Sequence, residues 1–283
     1  MVDLSGLAPV REVADRFGLR ARKSLGQNFL FDDNLLDRIA RAAGPLEGVD
    51  VVEVGPGPGG LTRALLRAGA RKVVAVEKDA RCIAALKDLE HAARGRLEIV
   101  EGDALALDLA ALAPGLPAVV GNLPFNVATE ILARLAERPE RLRHLTLMLQ
   151  REVALRIAAP PGGRDRGRLS VMVQWRFDVR RCFDVPARAF VPPPKVCASV
   201  LRLDPLPAPR FPADPAVLKR VLAAAFGQRR KTLRNALSSL VPDPAPLLAS
   251  AGIDPATRAE RLTVEEFCRL ARVIAEAGPG DSS

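Results

Sequence analysis

Residues 121–126, GNLPFN, place an amide, a proline and an aromatic ring directly after an apolar run. Pro124 fixes its own φ angle and keeps Leu123 out of the helical region, so the Leu123 carbonyl can face a pocket. This carbonyl and the Asn122 amide oxygen would form two neighbouring acceptors, with Phe125 as a flat apolar face beside them. That set fits an exocyclic amine on a planar base. The simpler alternative is a turn-capping asparagine beside a core phenylalanine.

An exocyclic amine is a poor nucleophile because its lone pair is delocalised into the ring. Acceptors for both of its N–H groups favour a tetrahedral nitrogen, whose lone pair can then attack an activated methyl group. A stacked base must flip out to reach such a pocket, which costs a few kcal/mol. Aromatic stacking returns about 1–3 kcal/mol per base. Asn122, Leu123, Pro124 and Phe125 are therefore candidate catalytic residues.

A glycine-rich stretch, EVGPGPGG at residues 53–60, offers a second kind of ligand contact. Gly55 and Gly57 allow a tight turn and a close approach of the backbone to a ligand. Glu77 follows 22 residues after Gly55, where an acid can accept from the hydroxyls of a ribose. Asp103, in EGDAL, could accept from an adenine amine. The simpler alternatives are a tight turn, a surface acid and a cap residue.

Two ligands fit this pattern, a dinucleotide and S-adenosylmethionine. A dinucleotide needs backbone donors for its pyrophosphate, and Pro56 and Pro58 remove such donors from the loop. S-adenosylmethionine has a ribose and an adenine but no phosphate, so it suits the loop better. The glycine loop, Glu77 and Asp103 together predict a methyltransferase-type nucleotide pocket.

Strand and helix patterns alternate along the part of the chain that carries these residues. Apolar runs predict strands at DVVEVG, KVVAVE, RLEIVEGD, PAVVGN and HLTLMLQ, with helical patterns between them. This alternation predicts a Rossmann-like α/β fold with a mostly parallel sheet covered on both faces. RLSVMVQWRF and VCASVLRL are predicted to add strands at one edge, which gives seven strands.

The pattern predicts four regions. Residues 1–31 form an N-terminal helix (9–19) and an arm, 32–205 a methyltransferase domain, 206–276 a small helical domain and 277–283 a disordered tail. Within the helical domain, Asp214 followed by a proline predicts one helix start. Thr263 and Glu266 predict a capping box at another.

Charge indicates the kind of partner. The chain has 283 residues and a formal net charge of +9, which favours a polyanion, nucleic acid before a membrane. QRRKTLRNAL predicts one basic helix with candidate RNA-binding residues Arg229, Arg230, Lys231 and Arg234. Two further basic groups are Arg164, Arg166, Arg168 and Arg20, Arg22, Lys23. A solvated charged face is the simpler alternative for any single group.

Cysteine and histidine usage argues against a metal site or a disulfide framework. The four cysteines are scattered, and the chain has only two histidines. The apolar runs are too short to span a membrane, and the N-terminus has no apolar core typical of a secretory signal. We therefore expect a cytoplasmic protein, and a monomer because no heptad pattern is evident.

The motifs together resemble a known family. EVGPGPGG, Glu77, EGDAL and NLPFN follow the order of class I methyltransferases that modify adenine N6 in RNA, and KSLGQNFL, AFVPPPKV and FGQRRKTLRNAL narrow the match. From about Lys23 onward the chain resembles the bacterial 16S rRNA adenine N6,N6-dimethyltransferases. The resemblance implies that S-adenosylmethionine methylates two adjacent adenosines in a hairpin loop near the 3′ end of 16S rRNA during small-subunit maturation.

The resemblance also implies residue roles. Gln27 and Asn28 belong to an arm that would close over the cofactor, and Phe190 would be a second stacking face for the flipped adenine, or else a core residue. The implied cofactor-binding positions are Gln27, Asn28, Leu30, Gly55, Gly57, Glu77, Lys78, Asp103, Ala104 and Asn122. Two departures stand out: many relatives have Tyr at the position of Phe125, and an aromatic residue at Arg166, where the change is predicted to alter an RNA contact.

Three alternatives remain open at this point. One is the related 23S rRNA adenine methyltransferase that confers antibiotic resistance, against which KSLGQNFL and FGQRRKTLRNAL argue. The second is a methyltransferase-fold assembly or transcription-assisting factor without catalysis, against which the intact Asn122, Glu77 and Asp103 argue. A nicotinamide oxidoreductase is the most distant, because its loop would need phosphate donors.

Overall fold

The computed structural model describes residues 4–22, 26–228 and 230–277. The chain divides into two compact units. The first contains the residues up to Ala154 together with Val179–Pro205, and the second contains Leu155–Asp178 together with the residues from Leu206 onward. This division differs from the predicted boundary at 205, because Leu155–Asp178 cluster with the C-terminal helices.

The sequence alternation of the first unit folds into a layered α/β structure. In chain order its elements are α1 (Val10–Arg16), β1 (Phe29–Leu30), α2 (Asp33–Ala42), β2 (Asp50–Val54), α3 (Gly60–Arg67), β3 (Lys72–Glu77), α4 (Ala80–Ala92), β4 (Leu97–Glu101), β5 (Ala118–Asn122), α5 (Ala128–Leu135), β6 (His144–Gln150), α6 (Arg151–Ile157, which runs into the second unit), β7 (Phe177–Val185, which begins in the second unit), β8 (Phe190–Val191) and β9 (Ala198–Pro205).

Seven strands of the described residues form one sheet in the order β4-β3-β2-β5-β6-β9-β7. The pairs from β4 to β6 are all parallel, and β9 joins β6 antiparallel. Val54 lies opposite Val76 on one side and Gly121 on the other. The residues that follow these three strands therefore meet at one edge of the sheet. The predicted Rossmann-like, mostly parallel sheet is confirmed.

One predicted strand is wrong. RLSVMVQWRF forms a helix, α7 (Arg168–Arg176), and the edge strand is β7, which follows it. Val171 and Trp175 are four residues apart, and both are buried in the core of the second unit. The β-branched residues favour a strand. The segment is helical because a 3.6-residue repeat buries these side chains against the neighbouring helices.

The second unit is helical beyond α7. It contains α8 (Pro215–Gly227), α9 (Leu233–Leu237), α10 (Pro244–Ser250) and α11 (Val264–Glu276). Both predicted helix starts are confirmed: Asp214 accepts a hydrogen bond from the Val217 N–H, and Thr263 and Glu266 form a capping box. The Trp175 indole N–H donates to the Phe211 carbonyl at 2.7 Å, which joins α7 to the segment before α8.

The predicted basic helix is shorter than expected. Arg230 and Lys231 precede α9 in a turn, and only Arg234 lies on the helix. Arg229 lies outside the described residues. Thr232 sits at the N-cap position with extended backbone angles, so the helix begins at Leu233. The three described basic side chains are exposed, but they do not share one helical face.

The N-terminal arm contains a pairing that the sequence did not predict. β1 pairs antiparallel with β8, so that Phe29 lies opposite Val191 and Leu30 opposite Phe190. Phe190 is 1% exposed and packs in the main core of the first unit. The structure therefore places Phe190 as a core residue and not as an open stacking face.

Among the residues that the structure describes, no helix is long and apolar enough to cross a bilayer. Within the same residues, no group of three or more His, Cys, Asp or Glu side chains could hold a metal ion.

Arg166 is a buried structural residue and does not belong to an RNA-facing basic group, so that prediction is wrong. Its side chain is enclosed in the second unit, with 1% of the residue exposed. The guanidinium donates to the carbonyls of Ala159 and Leu262 at 2.8 and 3.2 Å and to the Gln174 amide oxygen at 3.1 Å. Burial lowers its pKa, and the hydrogen bonds connect the loop before α7 to the segment before α11.

We predict that Arg166→Leu lowers the free energy of unfolding by about 2–4 kcal/mol, because it leaves buried acceptors without a donor. Urea unfolding followed by circular dichroism measures this loss. Arg168→Leu, at an exposed position two residues away, is the matched control and should change stability by no more than about 0.5 kcal/mol. Equal effects of the two substitutions would contradict the structural role.

Candidate cofactor and acceptor site

The glycine loop between β2 and α3 uses up its own backbone donors. The N–H groups of Gly55, Gly57 and Gly59 donate to the Val76 carbonyl, the Glu77 carboxylate and the Pro56 carbonyl, at 3.0, 3.2 and 3.0 Å. Prolines at 56 and 58 have no N–H. From Gly55 to Gly59, a stretch that the structure describes completely, no backbone donor remains for a phosphate group. The loop therefore fits a nucleoside-containing ligand without a phosphate.

Positive φ angles explain why glycines stand in this loop. Gly55, Gly57 and Gly59 have φ angles of 70°, 54° and 92°, a region that other residues rarely adopt. A side chain at Gly57 would lie 3.1 Å from the Phe29 ring, which covers the loop. Phe29 is thus a site residue that the sequence analysis missed.

Glu77 ends β3 beside this loop, 7% exposed. One carboxylate oxygen accepts from Gly57, and the other accepts from the N–H groups of Lys78 and Asp79, both at 2.9 Å. Burial raises the Glu77 pKa, although these three hydrogen bonds partly offset the effect. A carboxylate has about four acceptor positions, so the oxygen that faces Gly57 can still accept from a ligand hydroxyl.

Asp103 follows β4 and forms an ion pair at the protein surface. Its carboxylate accepts from the Leu105 N–H at 2.9 Å and contacts the Lys78 ammonium at 3.0 Å. The hydrogen bond from Leu105 and the ion pair with Lys78 lower the Asp103 pKa. The side chains are 43% and 53% exposed, so this pair can rearrange around a ligand at little cost.

Asn122 ends β5 with its side-chain amide held in one orientation. Its Nδ2 donates to the Asn28 carbonyl at 3.0 Å, so that Oδ1 is the end available as an acceptor. Leu123 follows, with its N–H bonded to the Met148 carbonyl at 3.3 Å and its side chain 1% exposed. The Pro124 carbonyl accepts from Val127 and Ala128 and so starts α5. Phe125 is partly buried beside these residues.

Two adjoining clefts bring most of the predicted site together. Gly55, Glu77, Lys78 and Pro124 line both of them. The first cleft also contains the predicted residues Gln27, Asn28, Leu30, Gly57, Asn122, Leu123 and Phe125. The second contains Asp103 and Ala104. Of the predicted cofactor and catalytic residues, only Phe190 lines neither cleft.

Glu53, in β2 just before the loop, is fully buried. Among the described residues, neither of its carboxyl oxygens makes a hydrogen bond of good geometry. Burial raises the pKa of Glu53 to about 8; the nearby Thr62 hydroxyl offsets this only in part, and the Glu77 charge adds to it. Glu53 is therefore mainly neutral at pH 7.

A parallel sheet, a glycine loop without phosphate donors and an acid at the end of the next strand define a methyltransferase-type α/β domain. A model of the ribosomal RNA adenine dimethylase family matches residues 18–276. The chain belongs to this family. It is an rRNA adenine dimethyltransferase, and methyltransferases of this family use S-adenosylmethionine in general.

Curated relatives match over nearly the full chain. Ribosomal RNA small subunit methyltransferase A of Paracoccus denitrificans is 56% identical over 281 residues, covering 98% of this chain and 99% of the relative. The protein with the same name from Jannaschia sp. is 55% identical and covers 97% of this chain and 96% of the relative. The one from Sinorhizobium medicae is 54% identical and covers 97% and 100%.

Solved structures share the fold. The 23S rRNA methyltransferase ErmE is 27% identical with a TM-score of 0.68, covering 88% of this chain and 100% of that chain. A dimethyladenosine transferase from Plasmodium falciparum superposes with a TM-score of 0.76 at 23% identity, covering 89% and 98%. The second likeness concerns the fold alone.

We predict that Glu53→Gln changes how stability depends on pH. Because the folded-state pKa is raised from 4.5 to about 8, the native state holds a proton in this window that the unfolded state releases. Stability of the unsubstituted protein therefore falls as pH rises, by up to about 1.4 kcal/mol per pH unit. Glutamine mimics the neutral acid and should remove this loss.

Denaturant unfolding from pH 5 to pH 8 measures the difference between the two proteins. The advantage of Glu53→Gln should grow with pH. Glu101→Gln, at an exposed position at the end of β4, is the control and should follow the unsubstituted protein at every pH. A constant difference between Glu53→Gln and the unsubstituted protein would contradict a neutral, buried Glu53.

Proposed function

We propose that this chain transfers methyl groups from S-adenosylmethionine to N6 of two adjacent adenosines in a hairpin loop near the 3′ end of 16S rRNA. The products are N6,N6-dimethyladenosines, formed during small-subunit biogenesis. The observation that carries the proposal is the Asn122 amide, whose Nδ2 is bound by the Asn28 carbonyl at 3.0 Å, so that Oδ1 is the acceptor at the cleft. The names of the small-subunit relatives support the choice of RNA.

The cleft fits the cofactor because the backbone N–H groups of Gly55, Gly57 and Gly59 are already hydrogen-bonded within the protein and cannot bind a phosphate. Glu77 would accept from the ribose, Asp103 would lie near the adenine, and Gln27, Asn28 and Leu30 would cover the cofactor from the arm. When bound, S-adenosylmethionine supplies a methyl group that its sulfonium already activates.

The acceptor side uses the segment after β5. Asn122 Oδ1 and the Leu123 carbonyl would accept hydrogen bonds from the adenine N6 amine, which favours a tetrahedral nitrogen with an available lone pair. The Phe125 ring would stack on the flipped base, and it needs no hydroxyl for this. Phe190 is buried, and its place opposite Leu30 in the β1–β8 pair indicates a supporting role beneath the arm. The proton can leave after methyl transfer, so no strong base is required.

Exposed basic residues would position the RNA. Arg230, Lys231 and Arg234 are exposed at the start of α9, and Arg229 precedes them in the sequence. Such side chains contact phosphates without reading sequence, and the unpaired loop would be recognised by shape and stacking. We infer a monomer that acts in the cytoplasm on small ribosomal particles. A binding or assembly factor that has lost catalysis is the competing function.

We predict that Asn122→Ala lowers kcat for methyl transfer by about 10²–10³-fold, because it removes an acceptor that acts in the transition state. The assay incubates the protein with S-adenosylmethionine and small subunits that lack adenine dimethylation, and mass spectrometry of the digested RNA quantifies N6,N6-dimethyladenosine. Asn34→Ala, at an exposed position in α2, is the matched control and should retain full activity.

The outcomes separate the two functions. Methylation of 16S rRNA by the unsubstituted protein, lost in Asn122→Ala, supports the proposal. Near-normal transfer by Asn122→Ala would mean that this amide has no catalytic role. Binding of the particles without any methyl transfer by the unsubstituted protein would favour the non-catalytic assembly factor.

We predict that Arg230→Glu combined with Lys231→Glu weakens binding to the small subunit and flattens its dependence on salt, because phosphate contacts release counterions. Filter binding at several salt concentrations measures both effects. Arg16→Glu combined with Lys87→Glu changes the net charge equally on α1 and α4 and is the control. If both double variants lost the same binding affinity, the effect would come from net charge alone and not from phosphate contacts at the basic turn.

A further inference from the structure

Asp79 connects the cofactor loop to the N-terminal arm, which we define as residues 18–22 and 26–30. It lies two residues after Glu77, at the N-cap of α4, and is 5% exposed. Its backbone N–H donates to Glu77. Its carboxylate accepts from the Arg81 guanidinium at 3.0 and 2.7 Å and from the Gln27 amide at 3.0 Å. Asp79 therefore contacts both the ribose-binding acid and the arm.

Arg81 strengthens this connection. Its guanidinium lies within hydrogen-bond distance of the Gly18 and Arg20 carbonyls, at 3.4 and 3.5 Å. The hydrogen bonds from Arg81 and Gln27 lower the pKa of Asp79 to about 2. Asp79 is therefore ionised at every pH at which the protein is folded and active, and its contacts with the arm do not depend on a proton.

Both ends of the Gln27 amide are used. Its Nε2 donates to Asp79, and its Oε1 accepts from the Arg22 N–H at 3.0 Å. The side chain thus has one satisfied orientation, since rotation by 180° would oppose donor to donor at Arg22 and acceptor to acceptor at Asp79. Holding the Gln27 side chain in place restrains the backbone of the arm at residue 27, next to Asn28.

The carbonyl of the following residue, Asn28, holds Asn122. The Asn28 carbonyl accepts from Asn122 Nδ2 at 3.0 Å. The arm also contacts the catalytic segment at Gly26, where a side chain would lie 2.5 Å from Asn126 Oδ1 and 3.3 Å from Pro124. The arm therefore lies across the segment that would hold the acceptor base.

The orientation of the Asn122 amide decides whether it can act. With Nδ2 bound to the Asn28 carbonyl, Oδ1 is available to an amine. With the amide rotated by 180°, Nδ2 would face the amine, and two donors would oppose each other. A displaced Asn28 carbonyl would remove the contact that distinguishes these two orientations.

We propose that Asp79 is a positioning residue that acts through Gln27 on the Asn28 carbonyl and thereby selects the orientation of the Asn122 amide in which Oδ1 faces the acceptor base. This proposal rests on the proposed function, because it takes Asn122 as the residue that binds the adenine amine. It connects cofactor binding at Glu77 to the geometry of the acceptor side through three hydrogen bonds and the backbone link between Gln27 and Asn28.

The first experiment uses Gln27→Met in the full chain, because methionine keeps the length of the side chain and leaves the helix cap formed by Asp79 and Arg81 intact. At saturating S-adenosylmethionine, we expect kcat to fall about 10-fold, as for loss of one transition-state contact. In an Asn122→Ala background the same substitution should cause no further loss, because the two residues act in series. Arg16→Ala, at an exposed position of α1, is the control and should leave kcat unchanged.

A swapped pair provides the rescue. Asp79→Asn places a donor where an acceptor stood and should lower kcat. Adding Gln27→Glu restores donor against acceptor at this contact while still accepting from Arg22, so that kcat should recover at least half of the loss. A role limited to stabilising the fold would give a lower melting temperature with kcat unchanged, and it would show no rescue by the swapped pair.

A third readout does not depend on methyl transfer. The side-chain amide signal of Asn122, assigned by its loss in Asn122→Ala, should shift and exchange faster with solvent in Gln27→Met. An unchanged Asn122 signal, or an equal loss of kcat in the presence and absence of the Asn122 amide, would overturn the proposal. If the unsubstituted protein transfers no methyl group, the proposed function fails, while the amide signal still decides whether Gln27 positions Asn122.

Discussion

The hydrogen bond from the Gly57 N–H to the Glu77 carboxylate is the interaction on which the candidate site depends. It joins the loop after β2 to the end of β3, and it is possible only because the parallel register places Val54 opposite Val76. It also consumes a donor that a phosphate would need. The same contact therefore shapes the glycine loop, holds the acid at the edge of the sheet and selects a ligand without a phosphate.

The arm extends this arrangement to the acceptor side. Phe29 covers Gly57, while Asn28 holds Asn122, so one short segment contacts both the glycine loop and the end of β5. The antiparallel β1–β8 pair, in which Leu30 lies opposite Phe190, also holds the arm in place. Asp79 and Arg81 hold it from the start of α4. A change in any of these contacts should reach both halves of the site.

The parallel part of the sheet, β2 to β6, could be predicted from the sequence because each of these strands has a local apolar run and the glycines and acids of the site follow such runs. The arm could not, since two-residue strands such as Phe29–Leu30 have no periodicity and depend on a partner 160 residues away. The helix at RLSVMVQWRF was missed for a related reason. Val171 and Trp175 are four residues apart, a spacing that puts both on one face of either a strand or a helix. Only their packing against the surrounding helices favours the helix. Arg166 was predicted to contact RNA because the sequence contains no signal that distinguishes a buried arginine from an exposed one.

The two ligands carry charges of opposite sign, and the protein places its acidic and basic side chains in different regions. A sulfonium cofactor is cationic, whereas RNA is polyanionic. At the sheet edge, burial keeps Glu53 mainly neutral and thereby limits repulsion between it and Glu77, and Lys78 balances Asp103. Glu53 and Asp103 therefore add little net negative charge that would repel an incoming phosphate backbone. The excess of positive charge resides in exposed side chains, where screening and counterion release make it useful for RNA.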